Sequence, residues 1–198
     1  PTPSPFANSL TYSTNDTEIE EVRFRCRDPL TVSDQRLTKI IGEIQSINHI
    51  KRLRIHTRLP IVLPNRITNT LIDLLKKTTL KVVFVLHVNH PNELSNDVEA
   101  AIHTLKKANI TLLNQTVLLK GVNDNPKTLT SLSYRLFDND IQPYYLHLLD
   151  KVAGAIHFDI AQKDALTIYK KVQKKLPGYL VPKLVTEIQG ETNKTLIT

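Results

Sequence analysis

The stretch Leu80–Glu93, "LKVVFVLHVNHPNE", decides how the rest of the chain is read. Val82, Val83, Phe84, Val85 and Leu86 are apolar without alternation. A run this short and continuous reads as a strand covered on both faces, the habit of parallel sheets. Polar chemistry begins where the run stops: His87, His90 and Glu93 follow at intervals of three. On local grounds three readings of that trio stay open: a metal site, a wall of a cofactor pocket, or a polar strand end. It lacks the i, i+4 histidine pair of a helical zinc site, and a strand entering a turn splays such side chains.

Outward from this strand a rhythm appears. Apolar, β-branched runs recur at "IEEVRF" (19–24), "IKRLRIHT" (50–57), "ITLLNQTVLL" (110–119) and "IQPYYLHLL" (141–149). Their spacing is roughly 30 residues, the length of one βα unit. Helical stripes fill the gaps: Leu37, Ile40, Ile41 and Ile44; Ile67, Leu71, Leu74 and Leu75; Val98, Ala101, Ile102 and Leu105. Leu129, Leu132 and Leu136, then Ala165, Tyr169, Val172 and Leu176, continue the series. Ser33, Ser95 and Asn125-Pro126 stand where helix starts need a cap, and Pro177-Gly178 stops the last helix. Such alternation predicts a parallel sheet with right-handed crossovers, either an open doubly wound sheet or part of a (β/α) barrel. Function then belongs at the carboxyl ends of the strands. The polar residues follow that rule: Asp28, then His56 and Arg58, His87 and His90, Asn114 and Gln115, His147 and Asp150. Period two in "KRLRIHTR" puts Arg52, Arg54, His56 and Arg58 on one face, for salt bridges or for an anionic ligand.

Composition narrows the partners. No apolar run nears the roughly 18 residues a membrane helix needs, so no membrane is expected. A net charge of +7 is spread along the chain. Its densest cluster, Lys170, Lys171, Lys174 and Lys175, has no interleaved aromatics, so it reads as a solvated helix face and not a nucleic-acid surface. The single cysteine, Cys26, excludes an internal disulfide framework and suits a reducing, cytoplasmic setting. Residues 1–17 are rich in Pro, Ser, Thr and Asn and read as a tail or linker, leaving 18–198 as one domain. With Pro1 first and no methionine, the chain is expected to be a processed or truncated polypeptide.

Several stretches, in order, carry a resemblance: "RIHTRLPIVLPNRIT" (54–68), "HVNHPNE" (87–93), "LLNQTVLLKGVND" (112–124), "PYYLHLLDKVAGAIHF" (143–158) and "GYLVPKLVTEIQGETNKT" (178–195). They resemble the lysine 2,3-aminomutase family, and more closely its branch that serves β-lysylation of translation elongation factor P. The resemblance runs from about Asn15 to Thr195. It implies an α/β fold, a partial (β/α) barrel of the radical S-adenosylmethionine (SAM) type with about five βα units. The first units are expected upstream of residue 1. It implies an isomerase that moves the α-amino group of a lysine or lysyl substrate to the β-carbon. The cofactors implied are pyridoxal phosphate, SAM and a four-iron four-sulfur cluster. Elongation factor P and its lysyl-ligase are the implied partners, and an oligomer is compatible with the resemblance.

Residue by residue, Lys194 matches the lysine that holds pyridoxal phosphate as a Schiff base, a role its polar surroundings "GETNKT" do not announce. Tyr144 and Tyr145 are expected to flank that cofactor, and His87 and Gln115 to line the SAM site, with Asp28 beside it. This reads "LHVNHPNE" (86–93) as a cofactor wall and not a metal site. Asp150 matches a carboxylate for the substrate's distal ammonium, and Glu187 stands where the free-lysine enzymes carry a second aspartate. No metal ligand is expected within the chain. The cluster needs a Cys-x3-Cys-x2-Cys loop, which one cysteine cannot make. The family reads Gly-Gly-Asp-Pro where this chain has Cys26-Arg27-Asp28-Pro29, and side chains there crowd a backbone approach. Cys26 therefore reads as an incidental thiol, and a catalytically inactive paralogue acting as a protein-binding module is the alternative.

Overall fold

The computed structural model describes residues 14–24, 28–150, 154–188, 190–191 and 193–198. Cys26 and Arg27 lie outside the described residues, as does 1–13 of the expected tail. Thr14 and Asn15, expected in that tail, are helical. The elements in chain order are β1 (Glu21–Phe24), α1 (Asp34–Gln45), β2 (Arg52–Thr57), α2 (Leu59–Val62), α3 (Asn69–Lys77), β3 (Lys81–His87) and α4 (Asn96–Lys107). Then come β4 (Thr111–Val117), α5 (Pro126–Asp138), β5 (Gln142–His147), α6 (Gln162–Gln173), β6 (Lys183–Thr186) and β7 (Thr195–Leu196).

The strands form one sheet in sequential order, parallel from β1 to β6, with β7 antiparallel on β6. Sequential order with helical crossovers is the barrel pattern, and the doubly wound alternative would reverse direction partway. Here β1 and β7 are the two edges, so the sheet is a partial barrel.

Alternation assigns the faces. Leu53 and Ile55 of β2, Val82, Phe84 and Leu86 of β3, and Leu112 of β4 point outward into a core shared with Leu37, Ile41, Leu71, Leu75, Val98, Ile102 and Leu105. Each such side chain, fully buried, contributes about 1.5–3 kcal/mol. A second cluster joins Leu146 and Leu184 to Ala165, Val172 and Leu176 of α6 and the turn after it. The residues between these, Arg54, His56, Val85, His87, Gln115, Tyr145 and His147, take the inner face.

Helix starts follow local chemistry. Ser33 Oγ accepts from Arg36 N and Asn125 Oδ1 from Thr128 N, as expected. Ser95 precedes α4 but its side chain makes no capping bond. Thr68, not anticipated, caps α3 through Leu71 N. The lysines at 170, 171, 174 and 175 are exposed on α6 and just after it, consistent with a solvated face.

Candidate active site

The inner face ends in a rim at the carboxyl ends of the strands. His87, Gln115 and Tyr145 lie in one row: His87 is in register with Gln115, and Gln115 with Tyr145. His87 Nδ1 and Gln115 Nε2 are 3.5 Å apart, and the His56 ring meets His87 edge-on with centroids 6.2 Å apart. Gln115 Oε1 is buried and makes no hydrogen bond among the described residues. An unmatched buried acceptor is costly unless a donor comes to it.

This wall is braced from behind by amides. Asn114 Oδ1 accepts from Val88 N at 2.8 Å, while its Nδ2 donates to Val88 O and Thr116 Oγ1. Asn123, fully buried, accepts from Leu119 N and donates to Asn89 O and Val117 O. Val117 N donates to Asn89 Oδ1. Side-chain amides thus continue the β3–β4 ladder past the strand ends, where no backbone partner remains.

His90 and Glu93 are taken up by the turn, which corrects the reading of "LHVNHPNE" as a cofactor wall throughout. His90 Nδ1 accepts from Asn92 N, and Glu93 Oε1 accepts from the backbone N–H groups of Asn89 and His90. Together they make a capping box, an arrangement that satisfies orphan donors at a helix start. Glu93 Oε2 also pairs with Arg58 at 2.8 Å. Asp28 is equally occupied. It accepts from Leu30 N, Thr57 Oγ1, Arg58 N and Leu59 N, about all a carboxylate can take. It pins the end of β2 to the segment after β1, which leaves its carboxylate little capacity for the ligand contact read from the resemblance. Arg52 and Arg54 pair with Glu20 and Glu21, which selects salt bridging for them over an anionic ligand.

At the other end of the rim stands Lys194. Its Nζ lies 2.7 Å from Glu187 Oε1, 3.1 Å from His147 Nε2 and 5.4 Å from the centre of the Tyr145 ring. Its side chain is 16% exposed and that of Glu187 30%. A register shift between Asn114 and Gln115 inserts Tyr144 into β5 without an opposite residue. Such a bulge turns neighbouring side chains to the same side. Tyr144 and Tyr145 accordingly lie side by side, with centroids 3.8 Å apart and planes tilted by 38°, and Tyr144 donates its phenol proton to the Tyr145 oxygen at 3.0 Å. Burial first, and that hydrogen bond next, push the Tyr144 phenol up to about 12.

Of the residues read from sequence, Lys194, Glu187, Tyr144 and Tyr145 gather at one end of the rim, and His87 and Gln115 at the other, with Gln115 and Tyr145 joining the two. Asp150 is exposed, just past β5. His147 as the immediate neighbour of Lys194 was not foreseen. The signal was present in "YYLH", where period two carries His147 to the same face as Tyr145.

The residues fit two of the three implied cofactors. A partly buried amine beside tilted tyrosines suits a flat pyridine ring with an aldehyde, and the His87–Gln115 edge with its open acceptor suits an adenosine donor. The iron–sulfur cluster does not fit: the chain has one cysteine. Among the described residues no group of His, Cys, Asp or Glu is placed to hold a metal. No helix among them is long and apolar enough to cross a membrane.

No family model matches the chain. It is 53% identical over 188 residues to the L-lysine 2,3-aminomutase of Haemophilus influenzae, covering 95% of this chain and 56% of that protein. Identity is 46% to the L-lysine 2,3-aminomutase of Escherichia coli (strain K12), over 94% of this chain and 55% of that one. For the Clostridium subterminale enzyme of the same name it is 35%, over 94% and 45%. Among solved structures, a radical SAM methyltransferase from Sphaerobacter thermophilus overlays with a TM-score of 0.55 at 15% identity, covering 76% of this chain and 46% of that one. The anSMEcpe protein with bound AdoMet and the Cp18Cys peptide overlays at 0.57 and 14%, covering 78% and 45%. The structural likenesses establish the fold alone, a partial (β/α) barrel. Spanning about half the length of the curated relatives it matches, the chain belongs to the lysine 2,3-aminomutase family.

Proposed function

We propose that this chain carries the amine-handling part of a radical SAM aminomutase. The reaction is the move of an α-amino group to the β-carbon of a lysine or lysyl substrate. The observation that carries the reading is the amine of Lys194. It sits partly buried at the strand ends, against Glu187, His147 and Tyr145, and by resemblance it matches the lysine that holds pyridoxal phosphate. Bound there, pyridoxal phosphate supplies the conjugated system across which an amino group can migrate. SAM, if held at the His87–Gln115 wall, would supply the adenosyl group for hydrogen abstraction, with the electron coming from a cluster this chain does not itself ligate.

The chain's own residues bind and orient. Lys194 is the covalent anchor. Tyr144 and Tyr145 offer aromatic surface to a flat ring. Gln115 and His87 present polar edges in register. Glu187 and Asp150 supply negative charge for a distal ammonium, and the longer Glu187 suits a substrate destined for elongation factor P. Ligands for the iron–sulfur cluster would come from outside the present 198 residues. The test is absorbance. Pyridoxal phosphate added to the chain is expected to give the shifted band of a lysine-bound form, lost in Lys194→Ala. An unchanged band in that variant would sink the assignment.

A further inference from the structure

His147 ends β5 with its ring on the inner face, 6% exposed, because Leu146 before it packs outward. Lys194 approaches it from 47 positions further along the chain. Its Nζ is 3.1 Å from Nε2 and 3.4 Å from Nδ1 of the same ring. A donor on the in-plane lone pair of one imidazole nitrogen lies far from the other. Near-equal separations therefore put the amine over the face of the ring. Tyr145 bounds a second side, its ring edge-on to His147 at 5.6 Å. Glu187 bounds a third.

We infer that His147 is a positioning residue for Lys194: its neutral imidazole face holds the amine against Glu187 at the mouth of the site. The inference rests on the reading of Lys194 as the reactive amine. A carboxylate alone fixes one distance and leaves a four-carbon stem to swing. After Lys194 the segment is tied down by β7, which pairs with β6 through two residues, and by Ile197, which bonds to Leu184 O and is buried. The flat ring supplies the second constraint. A neutral aromatic face attracts an ammonium, whereas a protonated imidazole puts a second cation about 3 Å away. Among the described residues Lys194 and Tyr145 face the ring, and Glu187 stands against the Lys194 amine. The positions in register with His147, Val117 on β4 and Val185 on β6, carry no charge. Protonation of His147 therefore loosens Lys194, and its loss restores the hold.

Trace acetylation of the 198-residue chain with acetic anhydride tests this without any cofactor. Mass spectrometry of the peptides reads Lys194 against the exposed Lys174 in the same molecule. At about pH 8, His147→Ala is expected to raise the Lys194 to Lys174 ratio about fivefold, while His147→Phe, which keeps a flat ring, leaves it low. As the pH is lowered the ratio is expected to climb in the parent chain and stay flat in His147→Phe. A ratio unmoved by His147→Ala but raised by Glu187→Gln would leave the carboxylate as the holder and overturn the inference. If His147→Ala fails to fold, the pH profiles of the parent and His147→Phe chains decide: two coincident profiles overturn it. Should Lys194 fail to capture pyridoxal phosphate while these ratios behave as stated, the proposed function falls and the positioning role stands.

Discussion

At the carboxyl ends of β3 and β4, side-chain amides and a carboxylate hold the backbone itself: Asn114, Asn123, Asn89 and Glu93 all bond to main-chain groups. At the ends of β5 and β6, side chains hold one another: Lys194 rests on Glu187, His147 and Tyr145, and Tyr144 on Tyr145. The first region fixes its geometry whatever its ligands do. The second is balanced on a few groups, one of which, on the proposed function, would change its bonding to anchor a cofactor. A site that places one ligand and lets another react needs both kinds of support.

The sharpest way to break this comparison is to cut one brace. Asn114→Ala removes both contacts to the buried Val88 peptide and one to Thr116, and is expected to cost about 3 kcal/mol. Urea unfolding followed by circular dichroism measures it. Asp28→Ala frees Thr57 and the backbone of Leu30, Arg58 and Leu59, partly open to water, for about 2 kcal/mol by the same measurement. Lys194→Ala, by contrast, removes an ion pair whose carboxylate can rehydrate, and is expected to cost under about 1 kcal/mol. A larger loss for Lys194→Ala than for Asn114→Ala would reverse the comparison.

The braced half was the more legible from sequence, and for a physical reason. Runs such as "KVVFVLHV" carry their own pattern, so β1 to β5 were found within a residue or two of their ends. The strands β6 and β7 span Lys183–Thr186 and Thr195–Leu196, too short for any periodicity to speak. The chemistry of His90 and Glu93 was visible, yet its use in a capping box depends on how the turn closes. Lys194, in "GETNKT", has no local signal at all, and only the family resemblance singled it out. Its environment is assembled from β5 and the segments flanking β6 and β7, and His147 entered because the sheet brings distant segments together.

Tyr144 sits at the seam between the two halves and gives the finest test of how they meet. The bulge opposite Asn114 and Gln115 is what turns it alongside Tyr145. Burial and the bond it donates to Tyr145 raise its phenol from 10.0 to about 12. In the unfolded chain that phenol ionises near its ordinary value, so the contribution to stability is intact below about pH 10 and lost as the pH rises through about 12. Alkaline titration by near-ultraviolet absorbance is expected to show a late-ionising phenol that disappears in Tyr144→Phe. That variant is needed because Tyr169, raised by its own burial, also ionises late. In Tyr145→Phe the acceptor and the neighbouring charge are both gone, and Tyr144 is expected to titrate closer to its ordinary range. If Tyr145→Phe leaves the late phenol where it was, burial alone sets it. The two rings would then be neighbours by packing, with no polar coupling across the seam.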